Sequence, residues 1–337
     1  MQAKGDSDKR RLAAVFKGEM PDRVPNFEVL VGDPTLSHVM GRAVPYAHTL
    51  ANIPPADYLE FARRIGQDAI GLCFYSSPFR HEAPLRSRAD LAQLREVGVE
   101  SQAQNFLLLD DYARCVENTE MGLFVLLGAF MTDTYTGVFG FENFMCMLYD
   151  DRDLVEEILE RYTAYYVALA ERLVRYPLTF FYVGDDIAFK SGTLIDPAVL
   201  RELWVPRMRR IFAPARDAGI PILFHSDGNI EAMLPDLIDM GAAALNPIEP
   251  YGMDIRAIKR RYGRRLALVG NLDVGGALSS GTPDDVRREA TQLIDDCGRD
   301  GGLVLASSHS ITSNVKPENF LAMVETAQAC RLRGGPH

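Results

Sequence analysis

Three residues stand out for the chemistry they can do together: His225, Asp227 and His309, each just past a short apolar run. Neutral imidazoles and a carboxylate oxygen suit zinc with an open fourth position, or non-haem iron held by a facial triad. His225 and Asp227 are two apart, so along a regular strand their side chains point the same way. Without a metal the same groups can act as general acid and base. The chain holds only six histidines, so two in this setting are informative.

Other apolar runs end in the same manner. One closes on Asn26-Phe27-Glu28 and another on Gly184-Asp185-Asp186. Later runs close on Asn246-Pro247, Asn271-Leu272-Asp273 and Ser307-Ser308-His309. Singly, each has a bland explanation. Asp227-Gly228-Asn229 can be turn and cap chemistry, and Asn246 and Asn271 can satisfy loop backbone groups. Jointly they make a polar ring that core packing does not explain. We therefore expect Glu28, Asp185, Asp186 and Asp273 as catalytic groups, and Asn246, Asn271, Ser308 and Tyr75 as substrate contacts.

These ends must be positioned by strands. The spacing predicts strands over 221–225, 243–246, 266–270 and 303–306, alternating with helices over 229–240, 255–262, 282–294 and 316–329. Continuous apolar strands between amphipathic helices imply a parallel sheet covered by helices. Thr282 can cap its helix, with Pro283 at the first helical position and Asp284 and Asp285 at the positive end of the dipole. Gly241, Gly263 and Gly298 fall where a positive φ ends a helix. Further strands are expected over 24–28, 69–74, 124–130 and 179–185, with long helices over 152–175 and 196–218. Eight strands, each followed by a helix, suit an α/β fold of the (β/α)8 TIM-barrel type, with residues 1–337 as one domain. Its chemistry belongs at the strand C-termini. Residues 76–118 fit the pattern least and are read as an insertion. No G-x-G-x-x-G follows a strand, so a dinucleotide-binding half has no support.

Composition narrows the function. The chain has 337 residues, 47% hydrophobic and 24% charged, with a net charge of −10. The acidic balance argues against nucleic acid or an anionic membrane surface as partner. Five scattered cysteines form no C-x-x-C, so neither a disulfide framework nor a zinc ribbon fits. No stretch reaches eighteen uninterrupted apolar residues. A reduced, cytoplasmic protein is expected. Cys73 and Cys146 read as buried hydrophobes. The basic run Arg256 to Arg265 reads as a solvated helix face.

At these residues the chain resembles the uroporphyrinogen decarboxylase superfamily, over nearly its whole length. The resemblance rests on Arg11-Leu-Ala-Ala-Val-Phe-Lys-Gly-Glu-Met-Pro-Asp-Arg-Val-Pro25, Ile220-Pro-Ile-Leu-Phe-His-Ser-Asp-Gly-Asn229 and Gly241-Ala-Ala-Ala-Leu-Asn-Pro-Ile248. Gly281-Thr-Pro-Asp-Asp-Val286 and Lys316-Pro-Glu-Asn319 add to it. It implies a TIM barrel, often dimeric, and one of two chemistries. The decarboxylases remove acetate carboxyls from a tetrapyrrole without cofactor. Their relatives are methyltransferases that work with a corrinoid protein, and many carry zinc.

The residues resemble the second branch more. The Arg-rich M-R-Q-A-G-R stretch of the decarboxylases is replaced by Asn26-Phe-Glu-Val-Leu-Val-Gly-Asp33. Their aspartate after the second strand is replaced by Cys73-Phe-Tyr-Ser-Ser77. A substrate with eight carboxylates needs cationic partners. The thiol-methylating relatives have H-x-C where His225-Ser226-Asp227 stands, and a later cysteine where His309 stands. The resemblance thus implies a zinc site at His225, Asp227 and His309, with sulfur replaced by harder ligands. It implies demethylation of a small methoxylated or otherwise methylated substrate onto a corrinoid carried by a partner protein. Two alternatives stay open: a metal-free decarboxylase with His309 and Asp186 as proton donors, and a non-catalytic corrinoid- or tetrapyrrole-binding barrel.

Overall fold

The computed structural model describes residues 6–50, 53–128 and 130–332. Helix α1 (Lys9–Phe16) and the extended segment 24–28 come first, then α2 (Pro55–Arg64). Seven parallel strands follow: β1 (Ala69–Phe74), β2 (Gly122–Leu127), β3 (Phe180–Gly184), β4 (Ile222–His225), β5 (Ala242–Asn246), β6 (Ala267–Leu272) and β7 (Leu303–Ser307). They hydrogen-bond in chain order from β1 to β7. The crossovers carry α3 (Ala103–Val116), α4 (Arg152–Leu173), α5 (Val205–Asp217), α6 (Leu234–Met240), α7 (Ile255–Tyr262) and α8 (Pro283–Cys297), and α9 (Pro317–Ala329) follows β7. This is the expected α/β barrel architecture.

The eighth strand is the exception. Segment 24–28 touches β7 through a single parallel bridge, Asn26 with Leu305. Phe27 N donates to Leu305 O, and Leu305 N donates to Pro25 O. Pro25 has no N–H to extend that ladder. Toward β1 the seam is closed by side chains. Gln67 Oε1 accepts from Glu28 N at 2.9 Å, Gln67 Nε2 donates to Ala69 O at 2.9 Å, and Asn26 Nδ2 donates to Ile65 O at 3.2 Å.

An inner cluster draws buried side chains from all seven strands and this segment, among them Phe27, Ala69, Phe124, Tyr182, Leu223, Ala244, Val269 and Val304. That composition is what a closed barrel interior requires. Helix α1 plugs the end opposite the strand C-termini with Leu12, Val15 and Phe16. Large rings and small residues are matched. Phe124 and Phe180 stack at 5.1 Å, and β1 faces them with Gly71. A Cβ there would lie 2.0 Å from Phe124 O.

Local signals mostly gave the expected ends. Thr282 and Asp285 form a reciprocal capping box on α8. Gly241 takes φ +108. Gly263 and Gly298 instead keep φ −60 and −111. Both lie against the preceding helical turn, where a Cβ would meet Lys259 O at 2.5 Å and Ile294 O at 3.1 Å. The helix expected over 196–218 breaks at Trp204 into two pieces. Residues 76–118 hold a two-stranded antiparallel pair, two 3₁₀ turns and the crossover helix α3. No helix among the described residues is long and apolar enough to cross a membrane.

Candidate active site

A cavity of about 310 Å³ opens at the C-terminal ends of the strands, the small end of the roughly 300–1,000 Å³ usual for small-molecule sites. Phe27, Val29, Leu30, Leu50 and Leu126 form an apolar side, and Glu28, Asp186, His225, Asp227, Ser307 and His309 a polar one. Among the described residues no Arg or Lys lines it.

His225 leaves the inner face of β4, continuing the inward side of Leu223. Its Nδ1 is 2.8 Å from Asn246 Oδ1. The Asn246 amide is oriented by its own Nδ2, which donates to Val269 O at 3.1 Å. Tyr182 OH also donates to Asn246 Oδ1, at 2.7 Å. An amide oxygen cannot donate, so the proton of this bond sits on His225 Nδ1. In the neutral imidazole the lone pair is then on His225 Nε2. It faces Asp186 Oδ1 at 3.7 Å and Asp227 Oδ1 at 3.8 Å.

These three side chains offer ligand atoms within 4.8 Å of one another. Asp227 Oδ1 is buried and has no hydrogen-bond partner among the described residues. A buried carboxylate oxygen without a donor is costly, and a divalent cation would satisfy it. The oxygen and nitrogen donors, the fixed tautomer and the polar groups behind His225 fit a zinc or iron(II) site. The best-grouped trio is therefore Asp186, His225 and Asp227, where His309 was expected in place of Asp186. His309 Nε2 instead pairs with the other oxygen of Asp227, at 3.2 Å. Burial works to raise the Asp227 carboxyl, but the His309 hydrogen bond and the nearby imidazoles outweigh it and hold the group below its ordinary value. The same hydrogen bond raises His309, against partial desolvation.

Glu28 reaches the cavity from the seam segment. It accepts from Ser307 N at 2.6 Å, and its Oε2 lies 2.7 Å from Ser307 Oγ. Burial pushes its carboxyl up to about 8, against those hydrogen bonds. Tyr75 also lines the cavity, its ring laid across Gly128 so closely that a Cβ there would fall 1.7 Å from it.

Four expected site residues lie elsewhere. Asp185 points out of the barrel, where Met131 N, Thr132 N, Thr132 Oγ1 and Trp204 Nε1 all donate to its carboxylate. Asp273 accepts from Tyr251 OH and Gly275 N. Asn271 donates to Ile248 O, and Ser308 Oγ accepts from Val274 N. None of the four lines the cavity. Cys146 is exposed, while Cys73 faces the cavity. Sequence reasoning missed Tyr182, Ser307 and His48 as lining residues. Tyr182 had a signal: it is the one polar side chain on the inward alternation of β3.

Residues 76–330 match the family described as uroporphyrinogen decarboxylase (URO-D). The chain belongs to the uroporphyrinogen decarboxylase family. A relative of that name from Methylococcus capsulatus is 27% identical over 191 residues, covering 55% of this chain and 51% of that protein. The chain thus spans about half the length of this curated relative. One from Thioalkalivibrio sulfidiphilus is 27% identical over 284 residues, covering 79% and 77%. Among solved structures, a methyltransferase from Methanosarcina mazei superposes with a TM-score of 0.70 at 21% identity, over 95% of this chain and 97% of that one. That likeness shows the shared fold.

Proposed function

We propose that this family member is a metal-assisted methyltransferase. It takes the methyl group from a small methoxylated or otherwise methylated substrate and passes it to a corrinoid on a partner protein. The observation that carries the reading is the trio Asp186, His225 and Asp227 in a cavity with no Arg or Lys among the described residues. A tetrapyrrole with eight carboxylates would need several cationic partners, and two neighbouring carboxylates would repel it. The cavity volume likewise suits a compact substrate.

Asp186, His225 and Asp227 would hold the metal, and a zinc ion there would supply Lewis-acid polarisation of the oxygen that bears the methyl group. The chain's own groups do the rest. Asn246 and Tyr182 fix the His225 ring and its tautomer. The apolar side, with Phe27, Leu50 and Leu126, holds the body of the substrate and excludes water. His309 steadies Asp227.

The test is a donor panel incubated with protein and reduced corrinoid, read as methyl-corrinoid formed. A carboxylate panel read as carbon dioxide runs beside it. Methyl transfer from at least one methoxylated donor supports the reading. Carbon dioxide without methyl transfer would make the chain a decarboxylase, and ligand binding with neither product a non-catalytic barrel.

A further inference from the structure

The contacts of Ser307 bear on the protonation of its neighbour. Ser307 Oγ lies 2.7 Å from Glu28 Oε2 and also hydrogen-bonds the carbonyl oxygen of His309. A hydroxyl has one proton, and a carbonyl oxygen can only accept. If Ser307 donates to His309 O, the proton between Ser307 and Glu28 belongs to Glu28. Glu28 Oε1 meanwhile accepts from Ser307 N at 2.6 Å. In that arrangement Ser307 offers Glu28 a donor and an acceptor, the pattern of a neutral carboxylic acid.

The surroundings agree. Glu28 is 4% exposed, yet its side chain lines the cavity. The charged or titratable groups facing it are His309, Tyr58 and Tyr182. No Lys or Arg among the described residues pairs with it. A buried carboxylate without a cationic partner is expensive, so the neutral form is favoured.

We propose that Glu28 rests protonated and is the proton donor to the leaving oxygen of the substrate, with Ser307 as a two-position partner. This rests on the methyltransferase reading above. In the step, the methyl–oxygen bond breaks and the carbon goes to the nucleophilic corrinoid. The bonding electron pair stays on oxygen, which takes the Glu28 proton and leaves as an alcohol. Ser307 Oγ then turns its hydrogen from His309 O to Glu28 Oε2. The new carboxylate is thus held by both the Ser307 N–H and O–H until solvent returns the proton.

The experiment uses the full chain and Glu28→Gln, which copies the donor and acceptor pattern of the neutral acid. At pH 7 the infrared spectrum of the resting wild type should show a protonated carboxyl band that Glu28→Gln lacks. The urea midpoints of the two should coincide. With an unactivated methyl ether and reduced corrinoid, Glu28→Gln should lose about 10²–10⁴-fold in kcat. With a nitrophenyl methyl ether, whose oxygen leaves without a proton, most of that loss should vanish. No band at pH 7, or wild-type demethylation of the unactivated ether by Glu28→Gln, overturns the proposal. A band in a wild type that transfers no methyl group overturns the methyltransferase reading, and with it the donor role, while the protonation stands.

Discussion

Asp227 divides its two oxygens between two histidines: Oδ2 is 3.2 Å from His309 Nε2, and Oδ1 is 3.8 Å from His225 Nε2. The first contact is a close ion pair. The second oxygen is buried, with no hydrogen-bond partner among the described residues. That asymmetry separates a residue already paired within the protein from a group of three poised for a cation.

Substituting Asp186, His225 or Asp227 by Ala should each abolish tight zinc binding, read by competition with a chromophoric chelator. Tyr182→Phe and Asn246→Ala leave the ligands in place but loosen His225. Each should weaken binding by about 10–100-fold.

In chelator-treated protein, His309 should titrate above an ordinary histidine, because Asp227 accepts its hydrogen bond. A histidine raised by folding adds stability that is full below its unfolded value and is lost as pH rises through the folded value. Asp227, lowered by folding, adds stability present above its unfolded value and lost as pH falls through the folded one. The pair should therefore help most between about pH 4 and 6.5. NMR titration of His309 in wild type and Asp227→Asn checks this. The Asn variant should return His309 toward its ordinary value.

Asp185→Ala should cost about 3 kcal/mol by urea unfolding, because it strips the acceptor from Trp204 Nε1 and the Thr132 donors in a buried setting. It should leave zinc affinity intact. The neighbouring Asp186→Ala should do the reverse.

Gly71→Ala should destabilise by about 1–3 kcal/mol. The added carbon would sit against the Phe124 carbonyl in the barrel interior. Thermal or urea unfolding reads the effect directly.

Strand register explains what the sequence could and could not tell. Along β3, Phe180 and Tyr182 face inward, so period-two alternation carries Gly184 and Asp186 inward and Asp185 outward. That rule, applied strictly, separates the two aspartates and singles out Tyr182. Leu223 to His225 and Ala244 to Asn246 obey it as well. It fails on β7, where Val304 and Ala306 face inward yet Ser307, not Ser308, reaches the cavity. The chain leaves the strand there, and alternation ends with it. The barrel itself was legible because each apolar run was followed by an amphipathic helix. The side-chain seam was not, since it depends on the distant Gln67 replacing a backbone ladder.

The most direct measurement is methyl transfer from a methoxylated donor to reduced corrinoid, before chelation, after chelation, and after zinc is restored. The rate should fall to background without metal and return with about one zinc per chain, but not in His225→Ala. An undiminished rate in protein stripped of all metal would contradict metal-assisted methyl transfer at Asp186, His225 and Asp227.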